Sequence, residues 1–201
     1  MSDKKNILIL IGAAPCVVDD IKAFLSLRGE SCDPWQSCCP AYAGLDWMAI
    51  GLDAINLASW PIQYFATYHP SEIEEARERR ARAGGNTDYM VIAHQQHAEK
   101  ATGRGLVDLI LPCEPPSGSS ALLGVLAGIK MGYEKIIVCG CPLIGTNAAG
   151  YDYSYFRIGW EAKLNEIRDK TRAMSGWTRE LLGMPDTNWL NNAARSGRSD
   201  L

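Results

Sequence analysis

Apolar and polar positions along the chain alternate between short unbroken apolar runs and longer segments with helical spacing. Ile7–Ile11 is an uninterrupted isoleucine–leucine run, as expected for a strand buried on both faces of a parallel sheet. It breaks at Gly12-Ala13-Ala14-Pro15-Cys16. Val17, Val18, Ile21, Phe24 and Leu25 then share one face of a helix that Gly29 stops. The same reading predicts strands at Trp47–Gly51, Ile62–Tyr68, Tyr89–Ala93, Leu106–Leu111 and Lys135–Gly140, with a short helix or turn over Leu52–Trp60. Glu72–Arg82 is predicted helical, capped by Ser71, with acidic residues early and arginines late as the helix dipole prefers. Ser119–Met131 is a helix dense in small and apolar residues. Tyr155–Arg172 is predicted as one helix with Trp160, Leu164 and Ile167 on a stripe, and a further helix lies near Gly176–Leu182. Glu30–Gly44 reads as a long loop, either functional or poorly ordered, Gln95–Gly105 as a polar, glycine-containing segment, Cys141–Asp152 as a loop, and the segment from Asn191 onward as a frayed tail.

Strands alternating with helices imply a single α/β, Rossmann-like domain over 1–190: a mostly parallel sheet with helices on both faces and a helical C-terminal tail, 191–201 being flexible. In such sheets ligands sit outside the carboxyl ends of the strands, at a topological switch point. That rule selects Gly12–Cys16, Gly51–Asp53, Tyr68-His69, His94, Cys141 onward and the start of the Ser119 helix.

Composition narrows the function classes. A net charge of −3 over 201 residues argues against nucleic acid or an anionic membrane as partner. No stretch reaches the roughly 18 apolar residues of a membrane span. Lys4 and Lys5 precede an apolar run too short for a signal peptide, so a cytoplasmic protein is expected. Seven cysteines, an odd number, are better explained by reduced thiols than by a disulfide framework. Cys32, Cys38 and Cys39 lack a paired C-x-x-C spacing, which leaves zinc there the weaker expectation.

Each candidate site residue has a bland role beside its chemical one. Gly12 and Ala13 form either a ligand-approaching turn or a tight turn alone. Ser117, Gly118, Ser119 and Ser120 suit an anion at a helix N-terminus, or a plain cap, and no P-loop lysine accompanies them. His69 and His94 follow strands directly; His94 and His97 are spaced to share a metal, but no acidic or third ligand is nearby, so a hydrogen-bonding pocket role is the expectation. Asp53 could hold ribose hydroxyls or cap a short helix. Tyr151, Asp152, Tyr153 and Tyr155 make either a lid over a ligand or packing against the Trp160 helix. Arg77, Arg79, Arg80 and Arg82 interleave with glutamates and read as a solvated helix face.

The stretch Ser117–Gly145, running from Ser-Gly-Ser-Ser through Gly132-Tyr133-Glu134-Lys135-Ile136 to Gly140, resembles the bacterial sialyltransferases that use CMP-sialic acid and the proteins similar to archaeal hydroxymethylpterin pyrophosphokinase. Tyr68-His69-Pro70-Ser71 aligns with the family's Tyr-Asn-Pro-Ser, and the resemblance extends over roughly Asn6 to Phe156. Small proteins of tailed phages look similar as well. The resemblance implies a Rossmann-like nucleotide-binding domain, with Gly12, Ala13, His69, Ser117 and Ser119 lining a pocket and Tyr151, Tyr153 or Tyr155 approaching phosphate. It implies no tightly held cofactor; the ligand would be a nucleotide such as CMP or a nucleotide-sugar substrate, and self-association is left open. The chain departs from the family at Ala13, where an asparagine is usual, and at Pro142, where an aspartate is expected. The sialyltransferases use a histidine base after the lid, and no histidine follows His97 here. His69 or His94 would have to serve as base. The expected function is nucleotide or nucleotide-sugar binding with glycosyl transfer; the alternative is a non-catalytic binding or assembly protein on the same fold.

Overall fold

The computed structural model describes residues 7–31, 33, 39–55, 60–112, 118–146 and 150–192. Seven strands are described: β1 (Ile7–Ile11), β2 (Leu45–Ile50), β3 (Ile62–Thr67), β4 (Met90–His94), β5 (Leu109–Leu111), β6 (Lys135–Cys139) and β7 (Thr171–Ala173). They form one parallel sheet in the order β5-β4-β3-β2-β1-β6-β7. The α/β expectation therefore holds. The chain steps outward from β1 to β5, then α5 (Ser120–Lys130) carries it back to lay β6 beside β1. The sheet's switch point is thus the junction of β1 and β6.

Alternating side chains of the strands feed two cores. On one face, Ile9, Ile11, Trp47, Ala49, Phe65 and Val91 meet α1 (Val17–Leu27), α2 (Leu52–Ile55), α3 (Ile73–Arg82) and α4 (Gln95–Thr102). On the other, Leu8, Leu10, Met48, Ala66 and Ile92 meet α5, α6 (Arg157–Ala162), α7 (Leu164–Ile167) and Leu182 of α8 (Gly176–Leu182). Each face needs cover because the strands are apolar on both sides. Among the described residues no helix is long and apolar enough to cross a membrane.

Several expectations are corrected. Gln95–Gly105 is mostly helix: α4 buries only Ala98 and Ala101, too small a stripe to register as apolar periodicity. The strand expected from Leu106 begins at Leu109, because Asp108 caps the ladder by accepting Val91 N on Oδ2 at 2.7 Å. The single helix over Tyr155–Arg172 is instead a 3-10 turn at Tyr153–Phe156, then α6, α7 and the edge strand β7. The break falls at Lys163, whose backbone leaves the helical basin. A further helix, α9 (Thr187–Asn191), closes on the residue from which the tail was expected; residues after 192 lie outside the described residues.

Two side-chain expectations change as well. Arg80 is not on a solvated face: it is buried and donates to the carbonyls of Ile55 (3.3 Å), Trp60 (2.6 Å) and Asn86 (2.9 Å). Burial lowers its pKa, and the ring of carbonyls explains why the charge is tolerated there. Cys39 is disulfide-bonded, which corrects the expectation of reduced thiols throughout, whereas Cys16, Cys139 and Cys141 are free. Cys32 and Cys38 lie outside the described residues. Among the described residues no three His, Cys, Asp or Glu side chains converge as a metal site.

Candidate functional site

The β1–β6 junction is the first place to look for a ligand, and the chain itself fills it. Gly12 N donates to Cys139 O at 2.8 Å, and Ala14 N to Gly140 O at 3.2 Å. A Cβ on Gly12 would lie 2.3 Å from both Gly140 O and Cys141 Sγ, so glycine is demanded by close packing of the β6 loop. Gly140 has φ +65°, and a Cβ there would meet Val17 Cβ at 2.7 Å. The two glycines interlock. Ala13 is exposed on the outside of the turn.

Beneath the turn lies a polar chain that sequence reading missed. Asp20 is buried, and its Oδ2 accepts from Gly140 N and from Ser175 Oγ, each at 2.8 Å. Because Ser175 spends its proton on the carboxylate, the Cys16 thiol is the donor across 3.3 Å to Ser175 Oγ. Burial raises the Cys16 pKa, and the Asp20 charge adds to it. Burial also pushes Cys141 up to about 12, and Cys139 well above the ordinary thiol range. The signal for Asp20 was present: it falls on the stripe Val17, Ile21, Phe24, where a carboxylate must find partners.

The other half of the carboxyl edge brings several predicted residues together. Ser119 caps α5, its Oγ accepting Leu122 N at 3.2 Å, and the same oxygen accepts Trp160 Nε1 at 3.2 Å. Ser120 Oγ accepts Tyr68 N at 3.1 Å, tying the end of β3 to the start of α5. Gly118 has φ +69°, and a Cβ there would lie 3.3 Å from the Phe156 ring. The tyrosine loop therefore sits directly against the Ser-rich helix start. Ser117 lies outside the described residues.

The described residues on either side of that loop are braced against each other. Thr146 and Asp152 form an antiparallel bridge, and Tyr153 N donates to Gly145 O at 3.1 Å. Asp152 accepts Ser154 N at 2.8 Å and Ser154 Oγ at 2.7 Å, bonds that hold its carboxyl below the usual range. Tyr151, Tyr153 and Tyr155 surround Phe156 with ring centroids at 5.6, 6.4 and 6.5 Å. They remain 47, 36 and 65 % exposed. Behind them Leu143 holds a left-handed backbone (φ +48°), and Arg157 Nε and Nη2 donate to its carbonyl at 3.0 and 2.8 Å. A non-glycine residue held in the left-handed region costs of order 1–3 kcal/mol, and such backbone strain clusters at functional sites.

The histidines separate into different roles. His94 is buried at the end of β4, stacks on Tyr68 at 4.5 Å, and accepts Gln96 N on Nδ1 at 3.3 Å as the cap of α4. His97 is exposed, with its ring 6.1 Å from that of His94. His69 is exposed beside Tyr68, with its backbone N–H held by Thr67 Oγ1 at 2.8 Å. Asp53 lies apart from this edge cluster, exposed on α2 and 3.7 Å from Arg79 of α3.

No protein-family profile and no curated protein matches the sequence. Among solved structures, the fold is similar to that of the MAf glycosyltransferase from Magnetospirillum magneticum AMB-1, with a TM-score of 0.53 and 10 % identity. The likeness covers 86 % of this chain and 32 % of that one, so the chain spans about a third of its neighbour's length. At that identity the likeness is one of fold. It singles out neither the sialyltransferases nor the pterin kinases.

Proposed function

We propose that this protein binds a nucleotide or nucleotide-sugar at the carboxyl edge between β3, the start of α5 and the tyrosine loop, and acts in glycosyl transfer. The observation that carries this reading is the convergence of three segments distant in sequence: Tyr68 on Ser120, Trp160 on Ser119, and Phe156 over Gly118. A helix N-terminus favours an anion such as a phosphate, and exposed tyrosine rings suit a base or sugar face. Both lie where parallel sheets place ligands. The fold likeness to a glycosyltransferase supports that reaction class. Of the two candidate bases His69 is preferred, since it is exposed whereas His94 is buried and caps a helix.

Thermal-shift screening with CMP, UDP, ATP and their sugar conjugates tests the reading. A ligand at 100 times its dissociation constant adds about 2.7 kcal/mol of stability. Tyr151→Ala and Tyr155→Ala should remove that shift without changing the unliganded melting temperature. His69→Ala should keep binding and lose transfer. No shift with any nucleotide would refute the proposal.

The filled Gly12–Gly140 junction favours a second reading, a binding or assembly protein without turnover. Nucleotide binding that survives with no transfer to any sugar acceptor would support it.

A further inference from the structure

The opposite, amino edge of the sheet carries a pair of cations that the proposed function does not use. Lys135 opens β6, and Arg172 lies on the neighbouring strand β7, in register with Ile137. Lys135 is only 5 % exposed. Its ammonium has no hydrogen-bond or ion-pair partner among the described residues; it lies over the Trp189 ring, 4.4 Å from the centroid. Arg172 Cζ lies 4.8 Å from the same centroid. Its Nη1 is engaged by the carbonyls of Arg168 and Thr171, and its Nε and Nη2 donate to no described residue. The charge of Glu134 attracts Lys135, and those of Asp169 and Asp186 attract Arg172.

A buried ammonium and a half-engaged guanidinium need an acceptor, and here an aromatic face stands in for one. Burial and then the charge of Arg172 lower the Lys135 pKa, and the charge of Glu134 acts the other way. The indole is brought in by α9, a helix of five residues capped by Asp186 and tied by Trp189 Nε1 to Asp169 O at 3.4 Å. So short a helix depends for its place on its anchored side chains, Trp189 and Leu190, which both pack against the core. Two cations with spare donors match a doubly charged oxyanion better than a carboxylate, since both charge and acceptor number fit.

We propose that Lys135 and Arg172 form a phosphoryl-binding site for which Trp189 is the resident plug, so that a phosphate-bearing ligand displaces the indole and releases α9. The site is separate from the carboxyl-edge reading and stands or falls without it.

Isothermal titration of the full chain with pyrophosphate at fixed ionic strength tests this, with acetate as the singly charged control and hydrogen exchange of α9 read in parallel. Saturable pyrophosphate binding, little response to acetate, and faster exchange over Thr187–Asn191 are expected. Lys135→Met and Arg172→Met should each weaken binding about tenfold or more, the loss of one charge-assisted contact. Trp189→Leu should tighten it, because the competitor is gone. Unchanged affinity in both cation variants, slower exchange of α9, or weaker binding in Trp189→Leu would overturn the proposal. Should the methionine variants unfold, Lys135→Gln and Arg172→Lys pose the same question. Tyr151→Ala distinguishes the two edges: it should leave pyrophosphate binding intact, and a loss there would move the anion to the carboxyl edge.

Discussion

Trp160 Nε1 and Ser119 Oγ meet at 3.2 Å across 41 positions of sequence, on an oxygen that also caps α5 through Leu122 N. One hydroxyl thus fixes both a helix start and the helix that follows the tyrosine loop. Ser119→Ala loses a cap worth about 1 kcal/mol and strands a buried indole N–H at about 1–3 kcal/mol. A loss of about 2–3 kcal/mol is expected in urea unfolding. Ser119→Gly removes the same hydroxyl but suits the cap backbone, so it should cost less. A loss below about 0.5 kcal/mol for Ser119→Ala, the range of ordinary surface changes, would contradict this account.

Gly12→Ala should be among the most damaging single changes. Its Cβ would lie 2.3 Å from the Gly140 carbonyl oxygen, which is backbone and cannot rotate aside. An overpacking cost of about 3 kcal/mol or more is expected. Ala13→Ser, one residue on and exposed, should be nearly neutral. Because Gly140→Ala disturbs the same junction, the double variant should lose less than the two single losses added together. Strict additivity in denaturant melts would show that the two glycines do not interlock.

Alkaline pH should destabilise the protein through its buried thiols. Cys141 is pushed up from 9.0 to about 12 by burial, so between those values the folded state binds the proton that the unfolded state has released. Stability is therefore retained below pH 9 and falls as pH rises through that window, by about 1.4 kcal/mol per pH unit for each such group. Cys139 acts in the same direction. Urea midpoints at pH 8, 9 and 10 should show the decline, and Cys141→Ala should make it shallower. An unchanged slope would remove Cys141 as a cause.

The two strand-end histidines should respond differently to truncation. His94→Ala removes a helix cap and a ring stacked on Tyr68, so a loss of about 1–3 kcal/mol is expected. His69→Ala removes an exposed ring and should stay within about 0.5 kcal/mol. Equal destabilisation would show that exposure does not separate their roles.

Most of the sheet was legible because β1 to β4 and β6 are short, predominantly apolar runs, interrupted by Asp46 and Gln63 and ending or starting on Thr67, His94 and Lys135. β7 was not, since Thr171-Arg172-Ala173 has one polar and one charged residue in three and sits at an edge. α4 escaped because alanines alone face its core. At the site, the Ser-rich start and the tyrosines were visible by composition, whereas their attachments were not. Tyr68 and Ser120 are 52 positions apart, and only the crossover of α5 makes them neighbours. Arg80 was misread because its glutamate neighbours suggested a solvated face, while its acceptors are carbonyls that leave no mark in sequence.

The strand order has a consequence for how the molecule is assembled. As the chain leaves the ribosome, β1 can zip to β2 and the sheet can grow out to β5, each new strand beside the last. The other edge of β1 stays open until β6, whose first residue is Lys135, returns to it. During that interval an isoleucine–leucine strand presents unpaired N–H and C=O groups, a ready template for another chain. Asp20 waits longer still, since its partner Ser175 lies 155 positions downstream. The nascent protein is therefore most vulnerable to aggregation midway through synthesis, and a ribosome stalled before residue 135 should release its least soluble fragment.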